Sequence, residues 1–223
     1  MTDVEELRVL ARADSPRGEV VLRRRLLTGA CEVDELIVNG TFAMDSAETS
    51  TERALARTLP RPGAEVLVGG LGLGFTAAEL LRLGAGRVEV VEIEGCLVSW
   101  ARAGVTGTLA AVATDPRVRL TIADIADVLR TEDDRRWDAI VLDVDNGPDF
   151  LIHEANARVY SAELLAAAAD RLRPGGVLAV WCQGPAPALA LTLAGLGGAV
   201  REELTEVVRQ GRQFTYAIYI LTR

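Results

Sequence analysis

The sequence contains no lysine; all 24 of its basic residues are arginine. This absence excludes Schiff-base chemistry and a lysine general base. Histidine occurs once, as His153, and no G-x-S-x-G motif accompanies it. We therefore do not expect a Ser-His-Asp triad or a histidine-based zinc site.

Cysteine is also scarce. Cys31, Cys96 and Cys182 are far apart and odd in number, and none has the spacing of a metal-ligand pair. We expect each of them to be a small buried side chain, and we expect the protein to hold no metal.

Long hydrophobic runs are missing as well. The apolar stretches are shorter than the roughly 18 residues that a membrane-spanning helix requires. Residues 1–20 are acidic and lack the apolar core of a signal peptide. These absences predict a cytoplasmic protein without a membrane partner. The net charge of −8 argues against a nucleic-acid partner, because proteins that bind nucleic acids carry basic surfaces.

The organisation of the chain is that of an α/β protein. Its 223 residues suit one α/β domain with a small appendage. Short strand patterns and a strong turn signal, Asn39-Gly40, predict a small antiparallel β-region over residues 1–45. A helix over about residues 49–58 begins a second domain, which we predict over 46–223.

From Ala64 onward, apolar runs alternate with helical patterns. Two final strand patterns, 199–208 and 213–221, predict a closing hairpin. The result is a Rossmann-like α/β fold with a mostly parallel seven-stranded sheet. The predicted strands cover 65–69, 87–92, 117–122, 137–143 and 176–182, and the predicted helices cover 74–83, 95–103, 124–130, 160–171 and 186–195.

The segment from Val66 to Glu92 indicates a ligand. It combines an apolar strand, the glycines Gly70, Gly72 and Gly74, a helix, a second apolar strand and a final acid. Glycines let a loop approach a ligand closely, and a carboxylate about 20 residues later is placed to bind a ribose diol. The segment therefore predicts a nucleoside-containing cofactor. Its glycines fit both S-adenosylmethionine (SAM) enzymes and the G-x-G-x-x-A pattern of dinucleotide sites.

Acidic side chains follow the later strands. Asp124 follows the third strand of the alternating region, and Asp143 follows the fourth, where it begins an acidic run to Asp149. Because the carboxyl ends of parallel strands share one edge, we expect these acids to converge with the glycine loop and Glu92 on one crevice. Acids in these positions can bind an adenine amino group or a cationic amine, which favours SAM over NAD.

Taken together, these features resemble the spermidine synthase family, a branch of the class I SAM-dependent methyltransferase fold. The resemblance covers most of the chain and follows the order of motifs in the family. It is carried by the N-terminal β-region, Asn39-Gly40, the glycine loop, Val91-Glu92-Ile93-Glu94, Asp115-Pro116-Arg117-Val118, Asp124, Asp143 and the turn Pro174-Gly175-Gly176.

The resemblance implies roles for individual residues. Glu92 would bind the ribose hydroxyls, Asp124 would contact the adenine, and Asp143 would be the catalytic acid. It also implies a transferase of polyamine biosynthesis that uses SAM or decarboxylated SAM and moves an aminopropyl group to a small amine. The family's usual assembly is a homodimer.

Three features depart from the family pattern. The family's acid run after the fourth strand is typically D-x-x-D-P, and in residues 143–148 the second acid is displaced. The family's loop usually carries an aspartate that pairs with the aminopropyl ammonium, and Leu73 occupies that position. Residues 41–53 lack the Gln, Tyr and His that grip polyamines in the family. Asp145, Asp149 and Glu154 are candidate substitutes as cation contacts. Methyl transfer from SAM, a non-catalytic nucleoside-binding module and an NAD-dependent oxidoreductase therefore remain as alternatives.

Overall fold

A computed structural model describes residues 4–27, 31–131, 133–209 and 211–223 of the chain. The strands are β1 (Val4–Ser15), β2 (Gly18–Leu27), β3 (Cys31–Val38), β4 (Thr41–Asp45), β5 (Glu65–Gly69), β6 (Arg87–Glu92), β7 (Val118–Ile122), β8 (Trp137–Leu142), β9 (Leu172–Cys182), β10 (Ala199–Arg209) and β11 (Arg212–Thr222). The helices are α1 (Ser50–Ala56), α2 (Phe75–Arg82), α3 (Gly95–Ala103), α4 (Gly107–Thr114), α5 (Ile125–Arg130), α6 (Ala162–Asp170) and α7 (Pro187–Ala194), and a 3-10 helix covers Glu154–Tyr160.

The first four strands form an antiparallel sheet in the order β1-β2-β3-β4. Asn39 and Gly40 make the turn between β3 and β4, and their φ angles are both positive, at 50° and 74°. This geometry matches the right-handed twist of a two-residue hairpin, which explains the Asn-Gly sequence there. The predicted N-terminal β-region is thus confirmed, while the division into two domains at residue 45 remains a prediction.

The other seven strands form one sheet in the order β10-β11-β9-β8-β5-β6-β7. The strands from β9 to β7 are parallel to one another, and β11 is antiparallel to both of its neighbours. All six residues of β8 are buried, as expected of a central parallel strand covered on both faces. Chain order reverses between β5 and β8, so a ligand crevice is expected at their carboxyl ends.

The predicted strands and helices of the Rossmann-like region are confirmed, with ends that move by a few residues. Helix α4 was not predicted, because its alanines and threonines lack a clear amphipathic pattern. The side chain of Thr106 nevertheless caps it by accepting a hydrogen bond from the N–H of Leu109. The 3-10 helix at Glu154–Tyr160 was also missed, since such short turns carry little periodic signal.

Two of the cysteines have described side chains. Cys182 is buried and Cys96 is half-buried, and burial raises the pKa of their thiols to about 12 and about 11. A thiol that stays protonated at neutral pH is a poor nucleophile. The side chain of Cys31 lies outside the described residues.

No single helix of the described ranges is both long enough and apolar enough to cross a membrane. Helices α3 and α4 meet the length and composition requirement only as a pair, and a bend of 91° separates them.

Candidate functional site

A cleft lies between the carboxyl edge of the large sheet and the N-terminal sheet. It encloses about 1000 Å³ of space, part of which is open to solvent. Among the described residues its wall carries a single guanidinium, that of Arg17, and a larger number of carboxylates, so the cleft suits a cationic ligand. The carboxylates belong to Glu52, Glu92, Glu94, Asp143 and Asp145.

The glycine loop between β5 and α2 forms part of this wall. Gly70 has a φ of 95°, and a Cβ atom there would lie 2.0 Å from the carbonyl oxygen of Asp143. Only glycine therefore allows the loop to lie this close to the end of β8. Gly72 also lines the cleft, whereas Gly74, with a φ of 86°, is the N-cap of α2.

Glu92 is held by the backbone of its neighbours. Its Oε2 accepts a hydrogen bond of 2.7 Å from the N–H of Leu71, and its Oε1 accepts one of 2.7 Å from the N–H of Glu94. Burial raises the pKa of Glu92, although these N–H groups act in the opposite direction. Glu92 lines the cleft, so its carboxylate is placed to accept a hydrogen bond from a ligand such as a ribose hydroxyl.

Asp143 follows β8 directly and is half-buried in the cleft wall. Its N–H donates to the carbonyl of Gly69 at 2.8 Å, which ties it to the neighbouring strand. The hydroxyl of Thr76, in α2, donates to its Oδ2 at 2.6 Å. Burial raises the pKa of Asp143 to about 6, against the lowering effect of the Thr76 hydrogen bond. A carboxylate with such a pKa can accept a proton near neutral pH.

Asp145 also lies in the wall, but its oxygens are occupied by the loop that follows it. Oδ1 accepts from the N–H groups of Asn146 and Ile152 at 2.7 and 2.8 Å, and Oδ2 accepts from Nδ2 of Asn156 at 2.6 Å. Asp145 therefore holds the loop between β8 and the 3-10 helix in shape.

The remaining acids predicted from sequence lie outside the cleft wall. Asp149 and Glu154 are exposed. Asp124 caps α5 by accepting from the N–H of Ala126 at 2.8 Å, and its other oxygen pairs with Arg158. The expectation that all four strand-end segments meet in one crevice is thus correct for three of them. The binding roles assigned to Asp124, Asp149 and Glu154 remain predictions.

Comparison with known proteins identifies relatives by sequence. No protein-family model matches the chain. Putrescine N-methyltransferase 2 of Nicotiana attenuata is 32% identical over 124 residues, which are 54% of this chain and 31% of that protein. Polyamine aminopropyltransferase of Mycobacterium tuberculosis H37Rv is 34% identical over 123 residues, which are 54% of this chain and 23% of that protein. The matched part of the chain thus spans less than a third of these relatives.

Solved structures extend the likeness to nearly the whole chain. A spermidine synthase crystallised with the transition-state analogue AdoDATO superposes with a TM-score of 0.78 at 18% identity, over 99% of this chain and 75% of that one. The spermidine synthase of Thermotoga maritima gives a TM-score of 0.76 at 17% identity, over 99% and 74%. The fold of the chain is that of these spermidine synthases. At these identities the structural likeness shows the fold, which confirms the class I SAM-methyltransferase architecture.

One of the departures from the family pattern has a clear structural basis. Leu73 is 1% exposed and packs in the core, so the glycine loop presents no carboxylate at that position. The N–H of Leu73 lies 3.3 Å from the sulfur of Met44, which also lies beside Gly72. This end of the loop is therefore apolar.

Several residues of the cleft wall were not predicted from sequence. Arg17, in the turn between β1 and β2, lies 3.3 Å from Oε1 of Glu94 and donates to Oδ1 of Asn156 at 2.9 Å. Arg17 thereby links the N-terminal sheet to the segment that follows β6 and to the 3-10 helix. Glu52 lies in segment 41–53, which lacks the Gln, Tyr and His of the family pattern and so carries no motif that indicates a site. Gln183 and Tyr216 come from the end of β9 and from β11, where only the sheet order brings them to the cleft.

Proposed function

We propose that this protein transfers an alkyl group from a sulfonium nucleoside to an amine nitrogen, with aminopropyl transfer from decarboxylated SAM as the main reaction. The observation that carries the proposal is Asp143. Its half-buried carboxylate, with a pKa raised to about 6, stands beside a glycine loop in a cleft lined by acids. The likeness to polyamine aminopropyltransferase and to spermidine synthases supports the same reaction.

The residues of the cleft fit a nucleoside co-substrate. Gly70 lets the glycine loop lie against the end of β8, and Glu92 is oriented in the cleft wall by backbone N–H groups. Gly70, Gly72 and Glu92 would hold the ribose side of the nucleoside. We keep Asp124 as an adenine contact only as a prediction, because Arg158 engages one of its oxygens.

In the proposed reaction, the amine nitrogen forms a bond to carbon while the bond from that carbon to sulfur breaks. The sulfur takes the electron pair and leaves as methylthioadenosine. Asp143 accepts the proton that the nitrogen must lose. General-base catalysis of this kind raises a reaction rate by roughly 10²–10⁴-fold. The cleft raises the rate further by holding the attacking nitrogen and the reacting carbon in line.

Methyl transfer from SAM is the second candidate, and Leu73 favours it. A buried leucine offers no partner for the ammonium at the end of an aminopropyl group, and an unpaired charge in a dehydrated site is strongly disfavoured. The likeness to putrescine N-methyltransferases points in the same direction.

Product identification separates the two reactions. The purified protein is incubated with 1,4-diaminobutane and either decarboxylated SAM or SAM, and the nucleoside product is identified by mass spectrometry. Methylthioadenosine formed from decarboxylated SAM supports aminopropyl transfer, whereas S-adenosylhomocysteine formed from SAM supports methyl transfer. Absence of both products across a panel of amines would contradict the proposal and favour a binding module.

We also propose a cytoplasmic homodimer that binds neither nucleic acid nor membrane. The net charge of −8 supports the lack of nucleic-acid binding, and the dimer follows from the family resemblance alone. Light scattering of the purified protein tests the dimer, since a monomer would have a mass of 23.8 kDa.

A further inference from the structure

Met44 brings a thioether to the glycine loop. It lies in β4, is half-buried, and lines the cleft together with Gly70 and Gly72. The chain has one other methionine, Met1, which lies outside the described residues. Neither the sequence motifs nor the proposed reaction gives Met44 a role.

The sulfur of Met44 is closely packed on the side of the loop. The N–H of Leu73 donates to it at 3.3 Å. A Cβ atom built on Gly72 would lie 2.6 Å from the same sulfur, which is closer than non-bonded atoms of this size approach. No further atom therefore fits between the sulfur and Gly72. Met44 also packs against the apolar core, so the room for an added atom lies toward the cleft that the side chain lines.

A thioether in this position can be oxidised by a peroxide. The peroxide transfers one oxygen atom to the sulfur: its O–O bond breaks, an S–O bond forms, the sulfur is oxidised by two electrons, and hydrogen peroxide leaves as water. The product, methionine sulfoxide, is polar, whereas the thioether is apolar. The oxidant has access to Met44, because the side chain is half-buried and the cleft is partly open to solvent.

The two cysteines with described side chains compete poorly for a peroxide. The reactive form of cysteine is the thiolate, and burial raises the pKa of Cys182 to about 12 and that of Cys96 to about 11. Oxidation of a thioether requires no loss of a proton. Met44 is therefore reactive at neutral pH, where these thiols stay protonated.

We propose that Met44 is an oxidation site at which a peroxide forms the sulfoxide and thereby lowers the affinity of the cleft for its nucleoside co-substrate. Because the added oxygen cannot lie between the sulfur and Gly72, it either occupies space in the cleft or displaces the sulfur from the N–H of Leu73. Both changes disturb the loop that holds the ribose side of the nucleoside. The inference rests on the proposed function for the identity of the ligand, but not for the oxidation itself.

The test treats the purified protein with hydrogen peroxide and then with dithiothreitol, which returns cysteine sulfenic acids and disulfides to thiols. Peptide mapping by mass spectrometry locates the added oxygen. Titration calorimetry measures the binding of methylthioadenosine before and after oxidation, and amide hydrogen exchange measures the protection of the Leu73 N–H. Met44→Leu is the matched control, since leucine conserves the volume of methionine but has no sulfur to oxidise.

The sulfoxide form should bind methylthioadenosine about 10-fold more weakly, because a disturbed loop loses on the order of one hydrogen bond to the ligand. The Leu73 N–H should exchange faster. Methionine sulfoxide reductase with dithiothreitol should restore the affinity. In Met44→Leu, the affinity should be the same before and after peroxide, whatever its starting value.

Three results would overturn the inference. The first is a sulfoxide at Met44 with unchanged affinity, the second is an equal loss of affinity in Met44→Leu, and the third is a Met44 that stays a thioether under conditions that oxidise free methionine. Failure of the proposed function gives a different result, since the unmodified protein would then not bind methylthioadenosine. In that case the exchange of the Leu73 N–H decides, and an unchanged rate after oxidation would contradict the inference.

Discussion

Strand β8 places an aspartate near each of its ends, and the two have opposite surroundings. Asp138, its second residue, is 7% exposed and accepts from the N–H of Glu65 at 2.8 Å. Arg61 and Arg173 each pair with it at 2.9 Å. Asp143, just past the other end, has the hydroxyl of Thr76 as its side-chain partner.

The pKa values of the two carboxyls diverge accordingly. Burial alone would raise the pKa of Asp138, but the Glu65 N–H, Arg173 and Arg61 together lower it. At Asp143 burial prevails, and the pKa rises to about 6. The start of the strand therefore stabilises Asp138 as an ionised carboxylate. At the other end, the raised pKa of Asp143 suits it to accept a proton, and its ionisation lowers the stability of the fold. Perturbed groups of the second kind are typical of functional sites.

The largest expected effect is that of Asp143→Asn on turnover. Losing the proton acceptor should reduce kcat by about 10²–10⁴, with nucleoside affinity nearly unchanged by calorimetry. Because the folded pKa of about 6 exceeds the ordinary 3.8, ionised Asp143 destabilises the fold above pH 6. The variant should therefore melt a few degrees higher at pH 7.5, with no gain near pH 4. Full activity in Asp143→Asn would remove its catalytic role.

Glycines at the two ends of β5 offer a second comparison. Gly70→Ala puts a Cβ 2.0 Å from the Asp143 carbonyl, whereas Gly63→Ala, also at positive φ, meets no atom within 4 Å. Gly63→Ala should cost about 1–2 kcal/mol from backbone strain alone. Gly70→Ala should cost clearly more in denaturant unfolding and should also weaken nucleoside binding. Equal costs for the two variants would show that the close approach at Gly70 is not needed.

Asp138→Asn should lower stability and leave the chemistry intact. We expect a loss of about 1–3 kcal/mol, since the arginine partners are partly exposed and screened by solvent. Because the folded pKa lies below the ordinary 3.8, this contribution is present above about pH 4 and is lost as the pH falls below 3.8 through the folded pKa. Thermal melting at pH 7.5, and again well below pH 3.8, measures it. If kcat fell as far in Asp138→Asn as in Asp143→Asn, the assignment of a structural role to Asp138 and a catalytic role to Asp143 would be wrong.

The smallest effect is expected from Thr76→Val. The Thr76 hydroxyl favours the charged form of Asp143, so its removal should raise that pKa. The acid limb of the pH profile of kcat/KM should move upward from about pH 6. Thr114→Val, whose hydroxyl bonds only to helix carbonyls, is the control. A limb that stays in place would show that another group controls it.

Some features of the structure could be predicted from sequence patterns, and others could not. Asn39-Gly40, the glycine loop and the apolar run of β8 were predicted because each depends on local backbone or burial requirements. The acids Asp143 and Asp145 were correctly expected in the cleft, because strand ends share an edge. Asp124 was expected there too, but short-range capping and Arg158 engage it instead.

The sequence by itself determined the alternation of strands and helices, the nucleoside-type loop and the acids at strand ends, since these follow from local conformation and from the geometry of parallel sheets. Only the tertiary structure decided which side chains face one another. It brought Arg17 and Glu52 from the N-terminal part of the chain into the cleft, buried Leu73 in the core, and gave Asp138 two arginines while leaving Asp143 with a hydroxyl. Contacts between distant segments and the removal of water set these outcomes, and neither leaves a periodic signal in the sequence.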